Sequence, residues 1–166
     1  MPQNPGNPGL FCDLGGTLVE LDHNRDLPAD AQGNITLKLL PNVAQTLRPI
    51  RDHLIFIVTN QRGIKRGRFT RDQVEAAIEK MDRELGGILT GWEICPHGPE
   101  DNCGCRKPAI GMVVQLAETY GVDLARSTMV GDQAVDEQCA KAAGIGRFVY
   151  ADQFFKWSGQ LPIGRP

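Results

Sequence analysis

No apolar run in these 166 residues approaches the ~20 that a membrane-spanning helix requires. The opening "MPQNPGNPG" lacks the basic and apolar sections of a secretory signal peptide, so a cytoplasmic location is the default expectation. A basic excess is missing too: 18 Lys and Arg stand against 20 Asp and Glu, a formal net charge of -2. That balance argues against nucleic-acid or membrane-surface partners and requires any anionic ligand to be held locally. No fixed-period repeat is present. The length calls for one domain, since a chain of this size buries roughly 70% of its unfolded surface.

What is present is an alternation of apolar strands and amphipathic helices, the pattern of a parallel sheet covered on both faces. Residues 1–9 and 158–166 are rich in Pro and Gly and read as flexible tails around a single domain over residues 10–157. "LIFIVTN" is the clearest buried strand, and "STMVGD" and "RFVYA" read as others, with a further strand around "GWEIC". Helices are expected over "PNVAQTLRPIRD", after Thr70 with Gln73 at capping-box spacing, over "GMVVQLAETYG" with Tyr120 on the core face, and over "AVDEQCAKAAG".

Asp13, Thr59 and Asp132 each fall where a strand ends, the edge along which open α/β sheets place ligands. Taken singly, an Asp at a strand end is a turn former or a helix cap. Taken together, Asp13 and Asp132 can share a hard divalent cation such as Mg²⁺, which prefers oxygen ligands. Thr59 and Lys107 can hold phosphate oxygens, and Asp13 can attack phosphorus.

Five cysteines are present, and "CPHGPEDNCGC" places Cys95, His97, Cys103 and Cys105 within eleven residues. Three thiolates and an imidazole suffice for a closed tetrahedral Zn²⁺ site, and closure means a structural role. The alternative is a loop of reduced thiols. Cys12 and Cys139 lie in apolar contexts and read as core thiols.

"DLGGT" at 13–17, "VTNQ" at 58–61, "CRKP" at 105–108 and "GDQAVD" at 131–136 resemble, in order and spacing, the four motifs of the haloacid dehalogenase (HAD) superfamily. "VTNQRGIKRG", "CPHGPEDNCGCRKP" and "MVGD" are similar to its subfamily III, in the branch of heptose-1,7-bisphosphate and histidinol phosphatases. The resemblance implies a three-layer Rossmann-like α/β fold and a Mg²⁺-dependent phosphatase for a small sugar-phosphate or histidinol-phosphate type of metabolite. It implies Asp13 as nucleophile and Mg²⁺ ligand, and Thr59, Asn60, Arg106 and Lys107 as phosphate or substrate groups. Asp132 would be a second Mg²⁺ ligand and the Gly15 backbone carbonyl a third, with Asp136 supporting the metal waters or the lysine. The cysteine loop of that branch binds zinc. A monomer or weak dimer is expected.

The sequence has too little between its motifs for a large cap domain, which leaves the zinc loop and a flap from Val19 to Gly33 to shape substrate choice. Arg62, Lys65, Arg66 and Arg68 read as a solvated loop, with Arg62 retained as a candidate for the mouth of the site. One position departs from the phosphatase pattern. Those enzymes carry a second Asp two residues after the nucleophile, which protonates the leaving group; here Gly15 stands there. Loss of a positioned acid costs about 10²- to 10⁴-fold in rate, most for poor alkoxide leaving groups. Three expectations remain: a slow or redirected enzyme, with His23 as a candidate rescuer; a binding module without turnover; or a variant of an ordinary phosphatase.

Overall fold

Side chains alternate across a strand, and the two central strands of this chain are apolar on both sides. In the computed structural model, which describes residues 6–157, β1 (Asn7–Cys12) sends Leu10 and Cys12 to one face and Phe11 to the other. β2 (Leu54–Asn60) repeats this with Ile55 and Ile57 opposite Phe56 and Val58. Phe11 and Phe56 stack with ring centroids 5.1 Å apart. Strands of this kind need cover on both faces.

β3 (Leu89–Cys95), β4 (Val122–Gly131) and β5 (Arg147–Tyr150) complete a five-stranded, all-parallel sheet of order β3-β2-β1-β4-β5. α1 (Val43–Leu47), α3 (Arg71–Leu85) and α6 (Ala151–Phe154) cover the Leu10 face, where Val43, Val74, Ile78 and Ala151 are buried. α4 (Gly111–Tyr120) and α5 (Ala134–Ala143) cover the Phe11 face through Val113, Leu116 and Ala140. α2 (Arg62–Lys65) is a single turn after β2. This is the expected three-layer Rossmann-like architecture. The chain runs outward from β1 to β3 and returns to the far side of β1 with β4. The order therefore reverses between β1 and β4, and such a switch point opens a crevice at the carboxyl ends of those strands.

Several boundaries differ from the sequence expectation. Asn7, Pro8 and Gly9, expected in a tail, belong to β1 and register with β2 or β4. The tail expected over 158–166, like residues 1–5, lies outside the described residues. α1 is five residues long: Asn42 before it takes φ 64°, so Pro41 is not in its first turn, and Pro49 supplies no backbone donor to extend it. Tyr120 is 41% exposed, with its ring tilted against Phe56 at a centroid distance of 5.3 Å.

α3 starts as its sequence suggests. Gln73 N donates to Thr70 Oγ1 at 3.1 Å, and Thr70 N donates to Gln73 Oε1 at 2.8 Å. Thr70→Ala removes one half of this box and should cost about 1 kcal/mol, lowering the midpoint of thermal unfolding by roughly 2–4 °C. Differential scanning calorimetry measures it.

Candidate active site

β1 delivers Asp13 to the switch-point crevice, and β4 delivers Asp132 beside it. The turn between Asp13 and Thr17 is tight because Gly16 adopts φ 77°, a left-handed conformation that glycine accepts without strain. A Cβ on Gly16 would overlap Asp132 Oδ2, so the second glycine of the motif also allows the two strand ends to approach. Thr17 Oγ1 lies 3.3 Å from Asp13 Oδ2 and 3.4 Å from Asp132 Oδ1, linking the carboxylates.

Lys107 reaches this point from the loop before α4. Its buried Nζ donates to Asp13 Oδ1 at 2.8 Å, to Asp136 Oδ1 at 2.7 Å and to the Val58 carbonyl at 2.8 Å. The backbone of Lys107 is held from β2: Lys107 N donates to Asn60 Oδ1 at 2.9 Å, and Asn60 Nδ2 donates to the Lys107 carbonyl at 3.1 Å. Burial opposes the charge on Lys107, but Asp13 and Asp136 outweigh it and raise the ammonium above its ordinary range. For Asp13, burial dominates and pushes the carboxyl up to about 6; Lys107 opposes the rise and Asp132 adds to it. Burial likewise raises Asp136.

Asp13, Asp132 and Asp136 present oxygens that all lie within 4.8 Å of one another. Three carboxylates face one buried ammonium, so two negative charges remain when all are ionised, and a divalent cation would cancel them. The donor set is all oxygen, which suits Mg²⁺. Asp136 is already engaged at both oxygens, by Lys107 and by Gln133 N at 3.1 Å. The geometry therefore makes Asp136 the counter-ion of Lys107, with Asp13 and Asp132 turned to the crevice.

A cavity of about 300 Å³ opens here, lined among others by Thr59, Arg62, Arg106, Leu21 and Arg25. Thr59 is buried and its Oγ1 accepts from Gln61 Nε2 at 2.8 Å, which leaves its own hydroxyl proton to donate. Arg106 lines the cavity while Nη1 donates to the His97 carbonyl at 2.9 Å. Asn60 also lines the cavity, with its amide spent on the Lys107 backbone. Arg62 is among the lining residues. His23 is exposed and is not among the lining residues, so it is not positioned as a rescuer. Sequence reading missed Leu21 and Arg25, which stand in no motif or periodic element, and Gln133, which stands in "GDQAVD" but was given no role there.

At position 15 the space is occupied. A Cβ on Gly15 would overlap Leu21 Cδ2 from the flap. Leu21, a flap residue that lines the same cavity, thus places an apolar side-chain end against position 15.

The cysteine loop follows β3. Cys95, Cys103 and Cys105 Sγ lie 3.6, 3.6 and 2.8 Å apart pairwise, and His97 Nδ1 is 3.6 Å from Cys95 Sγ and 3.3 Å from Cys105 Sγ. A tetrahedral Zn²⁺ with bonds of about 2.3 Å to sulfur separates two sulfurs by roughly 3.8 Å; the other separations approach that edge, while Cys95 and Cys105 stand closer than it. Burial pushes Cys95 up to about 12; at Cys103 the Arg106 N–H and the neighbouring thiols outweigh burial and lower the thiol to about 6.

Residues 10–162 match the family model of polynucleotide kinase 3 phosphatase. A D-glycero-beta-D-manno-heptose-1,7-bisphosphate 7-phosphatase of Rhodopseudomonas palustris is 35% identical over 156 residues, 87% of this chain and 83% of that protein. The enzyme of the same name from Bordetella bronchiseptica is 43% identical over 136 residues, 76% of each. The crystal structure of a D,D-heptose 1,7-bisphosphate phosphatase from B. bronchiseptica, complexed with magnesium and phosphate, superposes with a TM-score of 0.74 at 31% identity, over 95% of this chain and 90% of that one.

The elevated Asp13 carboxyl has a measurable consequence. A cation needs the ionised form, so protons compete with it as the pH falls through about 6. Mg²⁺ affinity measured by titration calorimetry should be nearly constant from pH 7 to 8 and fall by about tenfold per unit below pH 6. Asp13→Asn should remove that pH dependence along with most of the affinity.

Proposed function

The chain belongs to the polynucleotide kinase 3 phosphatase family within the HAD superfamily, and we propose that it is a Mg²⁺-dependent phosphomonoester hydrolase for a small phosphorylated sugar. One observation carries this reading: a buried lysine joined to two carboxylates, with a third carboxylate and a buried threonine hydroxyl beside it, all at the carboxyl ends of the central strands. The relatives at 35% and 43% identity supply the substrate class, heptose bisphosphate.

In this reading Asp13 is the nucleophile. Its Oδ1 is fixed by Lys107 and its Oδ2 lies 3.3 Å from Thr17 Oγ1, which holds the carboxylate in one orientation for attack on phosphorus. The bond from Asp13 to phosphorus forms as the ester P–O bond breaks, and water later releases inorganic phosphate from the aspartyl phosphate. Thr59 donates to a phosphate oxygen, and Lys107 neutralises charge as it develops. Asp13, Asp132 and the Gly15 carbonyl are the residues that would hold Mg²⁺; when bound, the ion neutralises the phosphoryl oxygens. Asp136 keeps Lys107 charged and in place. Cys95, His97, Cys103 and Cys105 hold a structural Zn²⁺.

The leaving oxygen has no acid at position 15, so turnover of alkyl phosphates is slow. A second reading, a module that binds a phosphorylated ligand or a protein partner without turnover, draws on the same glycine.

Mutation separates them. The overlap with Leu21 means that Gly15→Asp by itself forces the flap leucine aside, whereas Gly15→Asp with Leu21→Ala makes room. With heptose bisphosphate or glucose 6-phosphate and Mg²⁺, the double variant should exceed the wild type in kcat by at least about tenfold and also exceed either single variant. Turnover that stays absent in all four proteins, with phosphate still bound, would favour the binding module.

Zinc is tested independently. Elemental analysis should find about one Zn²⁺ per chain, and Cys103→Ser should lose it and lower the unfolding midpoint. A full zinc content in that variant would contradict the ligand set.

A further inference from the structure

Residues Asp22–Asp26 in the flap form a turn fixed by more bonds than a surface loop needs. Asp22 Oδ1 accepts from Asn24 N at 2.9 Å and Asp26 N at 3.0 Å, Arg25 N donates to the Asp22 carbonyl at 3.0 Å, and Asp22 N donates to the Asp26 carbonyl at 2.9 Å. Arg68, from the loop after α2, then clamps the turn by ion pairs to Asp22 at 2.5 Å and Asp26 at 2.9 Å. Inside this frame Arg25 takes φ 60°, a left-handed conformation uncommon for a residue with a side chain.

The frame presents the Arg25 side chain to the crevice. Its Nη2 lies 3.7 Å from Asp132 Oδ2, a charge contact too long for a hydrogen bond, and the side chain is 49% exposed. Asp132 Oδ2 is also the atom that a Cβ on Gly16 would overlap, so the guanidinium stands near the turn that contains Gly16 and follows Asp13. Arg25, Leu21, Gly15 and Asp13 line one cavity. The cavity has no carboxylate at position 15, and its lining includes the Arg25 cation on a held backbone turn and the apolar Leu21.

We propose that Arg25 is a leaving-group residue and that it selects phosphoryl donors whose leaving group departs as a stable oxyanion, an acyl phosphate or a phosphoanhydride. The inference rests on Asp13 as nucleophile. A guanidinium donates hydrogen bonds without surrendering its proton, so it stabilises an anion but does not protonate an alkoxide. With acetyl phosphate, Asp13 bonds to phosphorus, the P–O bond to the acyl oxygen breaks, and its electron pair leaves as acetate against Arg25. Water then supplies oxygen to phosphorus, regenerating the Asp13 carboxylate and releasing inorganic phosphate with the water protons. No general acid is required in the first step. That matches a site with glycine at position 15.

The experiment compares wild type, Arg25→Ala and Arg25→Lys, all with Mg²⁺, in two measurements. In the first, kcat is measured for acetyl phosphate and for aryl phosphates of graded leaving-group acidity. Arg25→Ala should lower kcat for acetyl phosphate by about 10²-fold and steepen the dependence on leaving-group acidity, and Arg25→Lys should recover part of the loss. In the second, calorimetry measures binding of methylenediphosphonate and of inorganic phosphate. Arg25→Ala should weaken the diphosphonate by at least about tenfold and change phosphate by less than about twofold. A wild type that hydrolyses no phosphate compound defeats the hydrolase reading and leaves the diphosphonate comparison to decide Arg25. Wild-type diphosphonate affinity in Arg25→Ala, with the leaving-group dependence unchanged wherever turnover is measurable, overturns the proposal.

Discussion

The ammonium of Lys107 holds the crevice together. It is buried between carboxylates from the ends of β1 and the start of α5 and a carbonyl of β2, and the loop that carries it is pinned to β2 by Asn60. Burying a charge of this kind costs several kcal/mol unless partners surround it, and truncating one partner leaves the others exposed to that cost. The same contacts that make the lysine tolerable therefore fix where Asp13 and Asp136 stand. Because three carboxylates meet one ammonium, the arrangement is left negative, while burial is the main cause that lifts Asp13 to about 6, with Lys107 opposing it and Asp132 adding to it. Structural integrity and cation affinity come from one charge imbalance.

Much of this was legible in the sequence where local chemistry and position coincide. Asp13 and Asp132 follow apolar runs that can only be buried strands, so their place at strand ends could be read from the pattern. The cysteine loop declared its donors by composition and spacing. Lys107 was accessible only through motif order, since nothing in "CRKP" by itself says that the lysine is buried. Asn60 illustrates a limit: an amide can face a ligand or secure a backbone, and here it lines the cavity while both its polar atoms secure the Lys107 loop. Leu21 and Arg25 were invisible because the flap has no period. Their positions depend on the Arg68 clamp, a contact between segments more than 40 residues apart.

Position 15 changes character once its surroundings are known. In sequence it is a deletion of one carboxylate; in three dimensions it is an exchange of a polar volume for an apolar one, with Leu21 in the space. An Asp introduced beside that leucine would lose solvation, and desolvation raises a carboxyl group. A raised carboxyl is what a general acid requires near neutral pH. The apolar wall thus does not preclude acid chemistry at this point, but it makes that chemistry depend on two residues rather than one.

The cysteine loop and the flap approach the crevice from separate elements, and each is tied to the body by charge. Lys65 of α2 pairs with Glu100 and Asp101 of the cysteine loop, both at 2.6 Å, while Arg68, three residues on, clamps the flap. One short basic segment after β2 therefore restrains both walls of the site. Its cations, which the sequence suggested were a solvated loop, act mainly as fasteners, and Arg62 alone among them lines the cavity. On the other wall, Cys105 immediately precedes Arg106 and Lys107, so any ion that draws the four donors together also sets the backbone from which those two cations extend. Among the described residues no cap domain stands over the crevice, and the tethering of these two loops is one means by which the fold can hold a leaving group in one orientation.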